Sequence, residues 1–263
     1  MVTELFALEQ HGPDTYVGES PAYEWGRIYG GLVVAQALKA AALTVDSDHG
    51  IHSLHAYFIL GGDPKEPVRY EVDRLRNGRS FTTRQVVARQ SGGAILNLSA
   101  SFQRDEDGPN IQTPQMPKVP KPGELDTDRN IPGRETRTVS HDHDPPQSRQ
   151  WVRFDQPIDN ELDHICALAY LTDSNAIRAI RAGHPKAHDT NPNEHHKHFM
   201  GASLDHAVWF HRPVKADDWL LLDMRSLGMI GSRGLAMGWV LDQQGTHVAT
   251  IAQEGLLRER KRK

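Results

Sequence analysis

Residues 29–45 read YGGLVVAQALKAAALTV, a helical stretch that is apolar on nearly every side. A helix without a broad polar face is buried inside a fold rather than laid on its surface. Gly30 and Gly31 mark its N-terminal boundary. Such a helix must be covered from most directions, and a curved antiparallel sheet wrapped around it, in the α+β manner, does so. The next residues supply that sheet. Residues 53–60 are strand-like and run into the turn Gly61-Gly62-Asp63-Pro64. Residues 68–75 alternate apolar and polar, and Asn77-Gly78 is a hairpin signal ahead of a strand at 81–89. Ser91-Gly92-Gly93 then turns the chain into a fourth strand at 94–103.

The second half repeats this order. Residues 162–180 predict a helix that ends before Gly183 and Pro185, followed by strands at 207–210, 219–225, 233–241 and 246–253. At an offset near 150, Ser53-Leu54 falls on Ser203-Leu204 and Gln103 on Gln253, which reads as a tandem duplication. Between Asp105 and Gln150 lie eight of the chain's 16 prolines and no Phe, Trp or Tyr. Such a segment buries too little apolar surface to offset its ordering entropy, so an extended linker is expected there. The chain therefore divides into an N-terminal unit at 1–105, a Pro-rich linker at 106–150 and a C-terminal unit at 151–263.

Composition closes off other classes. With 38% hydrophobic and 24% charged residues the chain can bury a core. A formal net charge of −4 gives no electrostatic case for nucleic-acid binding. One cysteine, Cys166, excludes an intrachain disulfide and a thiolate-rich zinc site. No apolar run reaches the roughly 20 residues of a membrane helix, and no secretory signal opens the chain, so a soluble, cytoplasmic protein is expected.

Several residues are candidates for chemistry. The 15 histidines cluster at His141-Asp142-His143-Asp144 and Glu194-His195-His196-Lys197-His198, but without the helical spacing of a metal site, and no metal is expected. The amides of Gly30 and Gly31 could stabilise an oxyanion or simply allow close packing. Asp205 could act as a general base or cap a turn. Ser226 and Gln253 are mute on their own. The basic tail Arg258 to Lys263 reads as a solvated end.

Local segments are more specific. Tyr23-Glu24-Trp25-Gly26-Arg27-Ile28-Tyr29-Gly30-Gly31, His52-Ser53-Leu54-His55-Ala56-Tyr57-Phe58, Asn77-Gly78-Arg79-Ser80-Phe81, Ser203-Leu204-Asp205-His206, Trp209-Phe210-His211-Arg212-Pro213 and Ala252-Gln253-Glu254-Gly255 resemble the acyl-CoA thioesterase II, or TesB-type, family. The resemblance implies a tandem, or double, hotdog fold and hydrolysis of fatty acyl-CoA by an activated water, with no cofactor. In that family an Asp, a Ser or Thr and a Gln hold the water, which puts the roles on Asp205, Ser226 and Gln253. Leu227 departs from the family pattern beside Ser226. The resemblance also implies a homo-oligomer. The alternatives are a hotdog enoyl-CoA hydratase, whose Asp-x4-His spacing is not met by Asp205 and His211, and a non-catalytic acyl-CoA-binding module.

Overall fold

The computed structural model describes residues 2–128, 131–188 and 195–260. A single antiparallel sheet runs through both halves. Its strands are β1 (Glu9–Gly12), β2 (Thr15–Gly18), β3 (His49–Phe58), β4 (Val68–Asn77), β5 (Phe81–Gln90), β6 (Gly93–Arg104), β7 (Arg134–His143), β8 (Pro146–Phe154), β9 (Phe199–Ser203), β10 (Asp205–Phe210), β11 (Leu220–Ile230), β12 (Arg233–Asp242) and β13 (His247–Glu259). They lie in the order β1-β2-β4-β5-β6-β3-β10-β13-β12-β11-β8-β7, with β9 pairing β13 off this path. The halves meet at the β3–β10 seam, where Asp205 faces Tyr57 and Trp209 faces Ser53 across the ladder.

Helix α1 (Gly30–Ala42) buries ten of its residues, from Gly31 to Ala41, as its all-round apolar sequence requires. It packs against α2 (Glu161–Thr172), the helix of the second half. Lys39 Nζ donates to Asp163 Oδ1 at 2.7 Å, and Tyr29 Oη donates to Tyr170 O at 2.9 Å. The α2 start is capped by Asn160, whose side chain accepts from Asp163 N.

Two expectations are corrected. The helix at 162–180 is not continuous: α2 stops at Thr172, and α3 (Ala176–Ala182) begins after Asp173-Ser174-Asn175. Asn175 is fully buried and spends its side chain on the sheet, accepting from Ser148 Oγ at 2.8 Å and donating to Ser148 O at 3.1 Å. Short polar side chains with backbone partners elsewhere compete with helix continuation. The segment at 106–150 is also more than a linker. β7 lies within it and β8 crosses its boundary at 150, together forming a hairpin on the sheet edge. The earlier residues lie along the outer face of the second half. Met116, Val119 and Leu125 pack against Trp151, Leu221 and Leu241, and Trp151 Nε1 donates to Pro120 O at 3.0 Å. That small aliphatic contact set escapes a search for aromatic residues.

Candidate active site

The α2–α3 break carries a carboxylate into the interior. Asp173 is 5% exposed, and its Oδ1 accepts from Gln253 Nε2 at 3.0 Å and from Ser203 Oγ at 3.1 Å. Burial pushes its pKa up to about 6, against the pull of the Ser203 and Gln253 hydrogen bonds, the Gly31 amide and the charge of Arg134. The approach of α1 to this carboxylate depends on glycine. A Cβ on Gly30 would sit 2.7 Å from Asp173 Oδ2, and one on Gly31 would sit 2.6 Å from Tyr170 O. The α1 N-terminus thus abuts the acid, an arrangement whose dipole favours negative charge.

Gln253 is fully buried on β13, and both its amide protons and its amide oxygen are hydrogen-bonded. Nε2 donates to Asp173 Oδ1 and, at 2.6 Å, to Ser203 Oγ, while Oε1 lies 2.9 Å from His206 Nδ1. An ionised carboxylate only accepts, so the amide nitrogen must face Asp173 and the amide oxygen must face His206. His206 therefore carries its proton on Nδ1, and its Nε2 accepts from Thr172 Oγ1 at 2.9 Å. Burial lowers the His206 pKa to about 4, which keeps the ring neutral and this tautomer in place. A one-way chain of donors runs Thr172, His206, Gln253, then Ser203 and Asp173.

A cavity of about 810 Å³ opens over this cluster. Gly30 and Phe58 line one side, Asp173, Ser203 and Leu204 the floor, and Ile177 and Arg181 the other side. Gln253 holds the floor from behind. α3 lies close to the sheet because β12 and β13 carry glycine beneath it. A Cβ on Gly255 would come within 2.2 Å of Ile177 Cδ1, and one on Gly234 within 2.3 Å of Ile180 Cγ2.

Of the expected trio, only Gln253 joins this cluster. Asp205 begins β10, where His206 and Val208 point inward, so strand alternation turns Asp205 to the opposite face. Its Oδ1 accepts from Glu254 N at 2.6 Å, and Glu254 likewise points away from Gln253. Ser226 is two strands from Gln253, both pairing with Ala236 on β12. Its hydroxyl lies beside Gly183, at the far end of α3. Gly30 and Gly31 do reach the cluster. Asp173 and Ser203 were not among the expected residues, although an ionisable side chain in the run CALAYLTDSNAI, and a serine two residues before Asp205, are visible in the sequence.

His141 and His143 meet edge to face with ring centres 5.4 Å apart, and His143 and His188 lie tilted against each other at 4.2 Å. No group of three or more His, Cys, Asp or Glu among the described residues is arranged to hold a metal ion. Glu194 and tail residues 261–263 lie outside the described residues. No described helix is long and apolar enough to cross a membrane.

Comparison with known proteins identifies the family. The acyl-CoA thioesterase N-terminal domain family matches residues 20–103, and the acyl-CoA thioesterase C-terminal domain family matches residues 102–257. The chain belongs to the acyl-CoA thioesterase family. It is 36% identical to human acyl-coenzyme A thioesterase 8 over 98% of this chain and 89% of that one. It is 33% identical to acyl-CoA thioesterase 2 of Haemophilus influenzae, covering 97% of this chain and 96% of that one. Among solved structures, the acyl-CoA thioesterase II TesB2 of Mycobacterium marinum superposes with a TM-score of 0.86 at 36% identity, covering 99% of both chains. A hotdog-fold protein from Alicyclobacillus acidocaldarius superposes with a TM-score of 0.81 at 21% identity over 99% of this chain and 98% of that one, which shows the shared fold. This acyl-CoA thioesterase thus has a hotdog-type architecture built largely of antiparallel sheet. Its acid, hydroxyl and amide come together from the α2–α3 break, β9 and β13.

Proposed function

We propose that this acyl-CoA thioesterase hydrolyses fatty acyl-CoA with a water activated by Asp173 and held by Ser203, and that Gln253 fixes the positions of both. The observation that carries this reading is the buried Asp173 carboxylate on the cavity wall, with Oδ1 tied to Gln253 and Ser203. A carboxylate whose pKa is raised to about 6 is mostly ionised at neutral pH yet basic enough to take a proton from water. The water oxygen forms the new C–O bond and its proton passes to Asp173. The tetrahedral intermediate then expels coenzyme A by cleavage of the C–S bond, and the departing thiolate takes that proton from Asp173, which returns to its ionised form. Gly30 is the proposed amide donor to the thioester oxygen at the start of α1, with Gly31 directed at Asp173.

In this reading the two halves are a tandem pair of hotdog units, each with its own buried helix, and the second supplies most of the site. Association of copies is proposed on the outer face of β11 and β12, where Leu227 is 59% exposed, Leu235 40% and Met237 37%. The hydratase alternative draws no support from Asp205 and His211: Asp205 is bonded to Glu254 N, and His211 Nε2 lies 2.8 Å from Thr250 Oγ1.

The test is release of free thiol from a series of acyl-CoA chain lengths by the purified protein, alongside hydration of crotonyl-CoA. Thiol release without hydration is expected; hydration without thiol release would overturn the reading.

A further inference from the structure

Buried guanidinium groups in this protein are not all treated alike. Arg84 is 2% exposed, and its Nε donates to Thr44 Oγ1 at 2.7 Å, NH1 to Arg76 O at 2.9 Å and NH2 to Thr44 O at 2.9 Å. Arg181, half-buried, has no such set among the described residues. Its Nε is buried without a hydrogen-bond partner, and NH1 lies 3.3 Å from His195 Nδ1. Arg178, one turn earlier, also has a buried Nε without a partner. Burial and the nearby Arg178 charge together pull the Arg181 pKa down to about 10. Several basic groups gather here. His141, whose two ring nitrogens are buried without partners, feels Arg178, His143, His195 and Arg181. Asp128 is felt by Arg178, as is the opposing charge of Arg134. Among the described residues no carboxylate pairs with Arg181; a desolvated cation without a counter-ion is costly, and an arriving anion offsets that cost.

Arg181 is also well placed. Asp173, Ile177 and Arg181 follow at four-residue spacing, and all three line the cavity. Ile177 and Arg181 lie one turn apart on α3, roughly 6 Å along its axis, and share the cavity with Asp173, so Arg181 faces one end of a substrate whose reacting carbon sits at the acid.

We infer that Arg181, supported by Arg178, binds an anionic group of the substrate: a phosphate of the CoA moiety or a carboxylate on the acyl chain. This assignment rests on the thioesterase reading of the cavity. The guanidinium makes charge-assisted hydrogen bonds to the anion and anchors one end of the thioester relative to Asp173. A thioester with no anion at that end lacks the anchor.

Calorimetric binding of non-hydrolysable thioethers separates this claim from hydrolysis itself. The ligands are S-hexyl-CoA, the neutral S-hexylpantetheine, and S-(5-carboxypentyl)pantetheine, which is charged at the acyl end alone. Arg181→Met is expected to weaken binding of an anionic ligand by about tenfold to a hundredfold, the worth of one charge-assisted hydrogen bond, and to leave the neutral ligand unchanged. Arg181→Lys is expected to recover part of the loss. Loss with S-hexyl-CoA assigns the site to phosphate; loss with the carboxypentyl ligand alone assigns it to an acyl carboxylate. Equal weakening of charged and neutral ligands, no weakening of either charged ligand, or no binding of any of the three to folded wild-type protein would overturn the inference. Absence of thiol release from acyl-CoA, measured separately, would instead count against the thioesterase reading.

Discussion

Both halves bury a polar side chain against their helix, and the contrast between Gln36 and Asp173 shows how a scaffold becomes a site. Gln36 is 1% exposed on α1. Its Nε2 donates to Leu5 O and Glu19 O, each at 2.9 Å, and its Oε1 accepts from Tyr70 Oη at 2.6 Å. It is neutral and fully satisfied, and it ties the N-terminal segment to the helix. Asp173 is equally enclosed but ionisable, and it interrupts its helix. Its Oδ1 is fixed by Gln253 and Ser203, and the residue lines a cavity. The first arrangement stabilises the fold. The second holds a charge at a cost in stability, which is the mark of a group kept for chemistry.

The largest expected consequence of that contrast is at Asp173. Asp173→Asn keeps the shape and removes the proton acceptor, so kcat for thiol release should fall by about 10²–10⁴ with KM little changed. The same variant should melt no lower than wild type at neutral pH. The sign follows from the raised pKa of about 6: the folded state favours the protonated acid, so wild-type stability rises as pH falls from above 6 toward the ordinary carboxylate range, and the ionised form above 6 is the less stable one. A matching loss of kcat and melting temperature would break the comparison by making Asp173 structural.

Gln253→Ala should cost less, roughly 10–10² in kcat, because it acts through the groups it positions. It also removes a hydrogen bond that lowers the Asp173 pKa, so the acid limb of the rate profile should move to higher pH. An unshifted limb would show that Gln253 only fills space. Gln36→Leu sharpens the other side of the contrast. Stability should drop by about 1–3 kcal/mol, since Tyr70 Oη and two carbonyls lose their partner, while kcat stays at the wild-type value. Smallest of all, Asp205→Asn and Ser226→Ala should leave thiol release within a few-fold of wild type, as neither lines the cavity.

Much of this was legible in the sequence. The apolar run at 29–45 specifies a buried helix whatever surrounds it, and strands read at 68–75 and 81–89 from alternation and the Asn77-Gly78 turn are found as Val68–Asn77 and Phe81–Gln90. The site was half legible. Gln253 and the paired glycines lie at it, but Asp205 fails by one residue of strand parity: on β10 the inward side chain is His206. Asp173 was hidden because LAYLTDSNAIRAI has the composition of one continuous helix. The break depends on Asn175 finding Ser148 on β8, a contact 27 residues away that no local pattern encodes. The β7–β8 hairpin was missed for a related reason. Its edge strand, RETRTVSHDH, is polar and becomes a strand by pairing with β8 rather than by burying an apolar face.

The most direct measurement of the central claim is the pH dependence of kcat/KM for acyl-CoA hydrolysis by the wild-type chain. If a buried Asp173 carboxylate is the base, the rate is level above neutrality, turns down near pH 6, and falls tenfold per pH unit below that as the acid protonates. A rate that stays level to pH 5 or below would mean that the group taking the proton is an ordinary carboxylate, and that Asp173 is not the base.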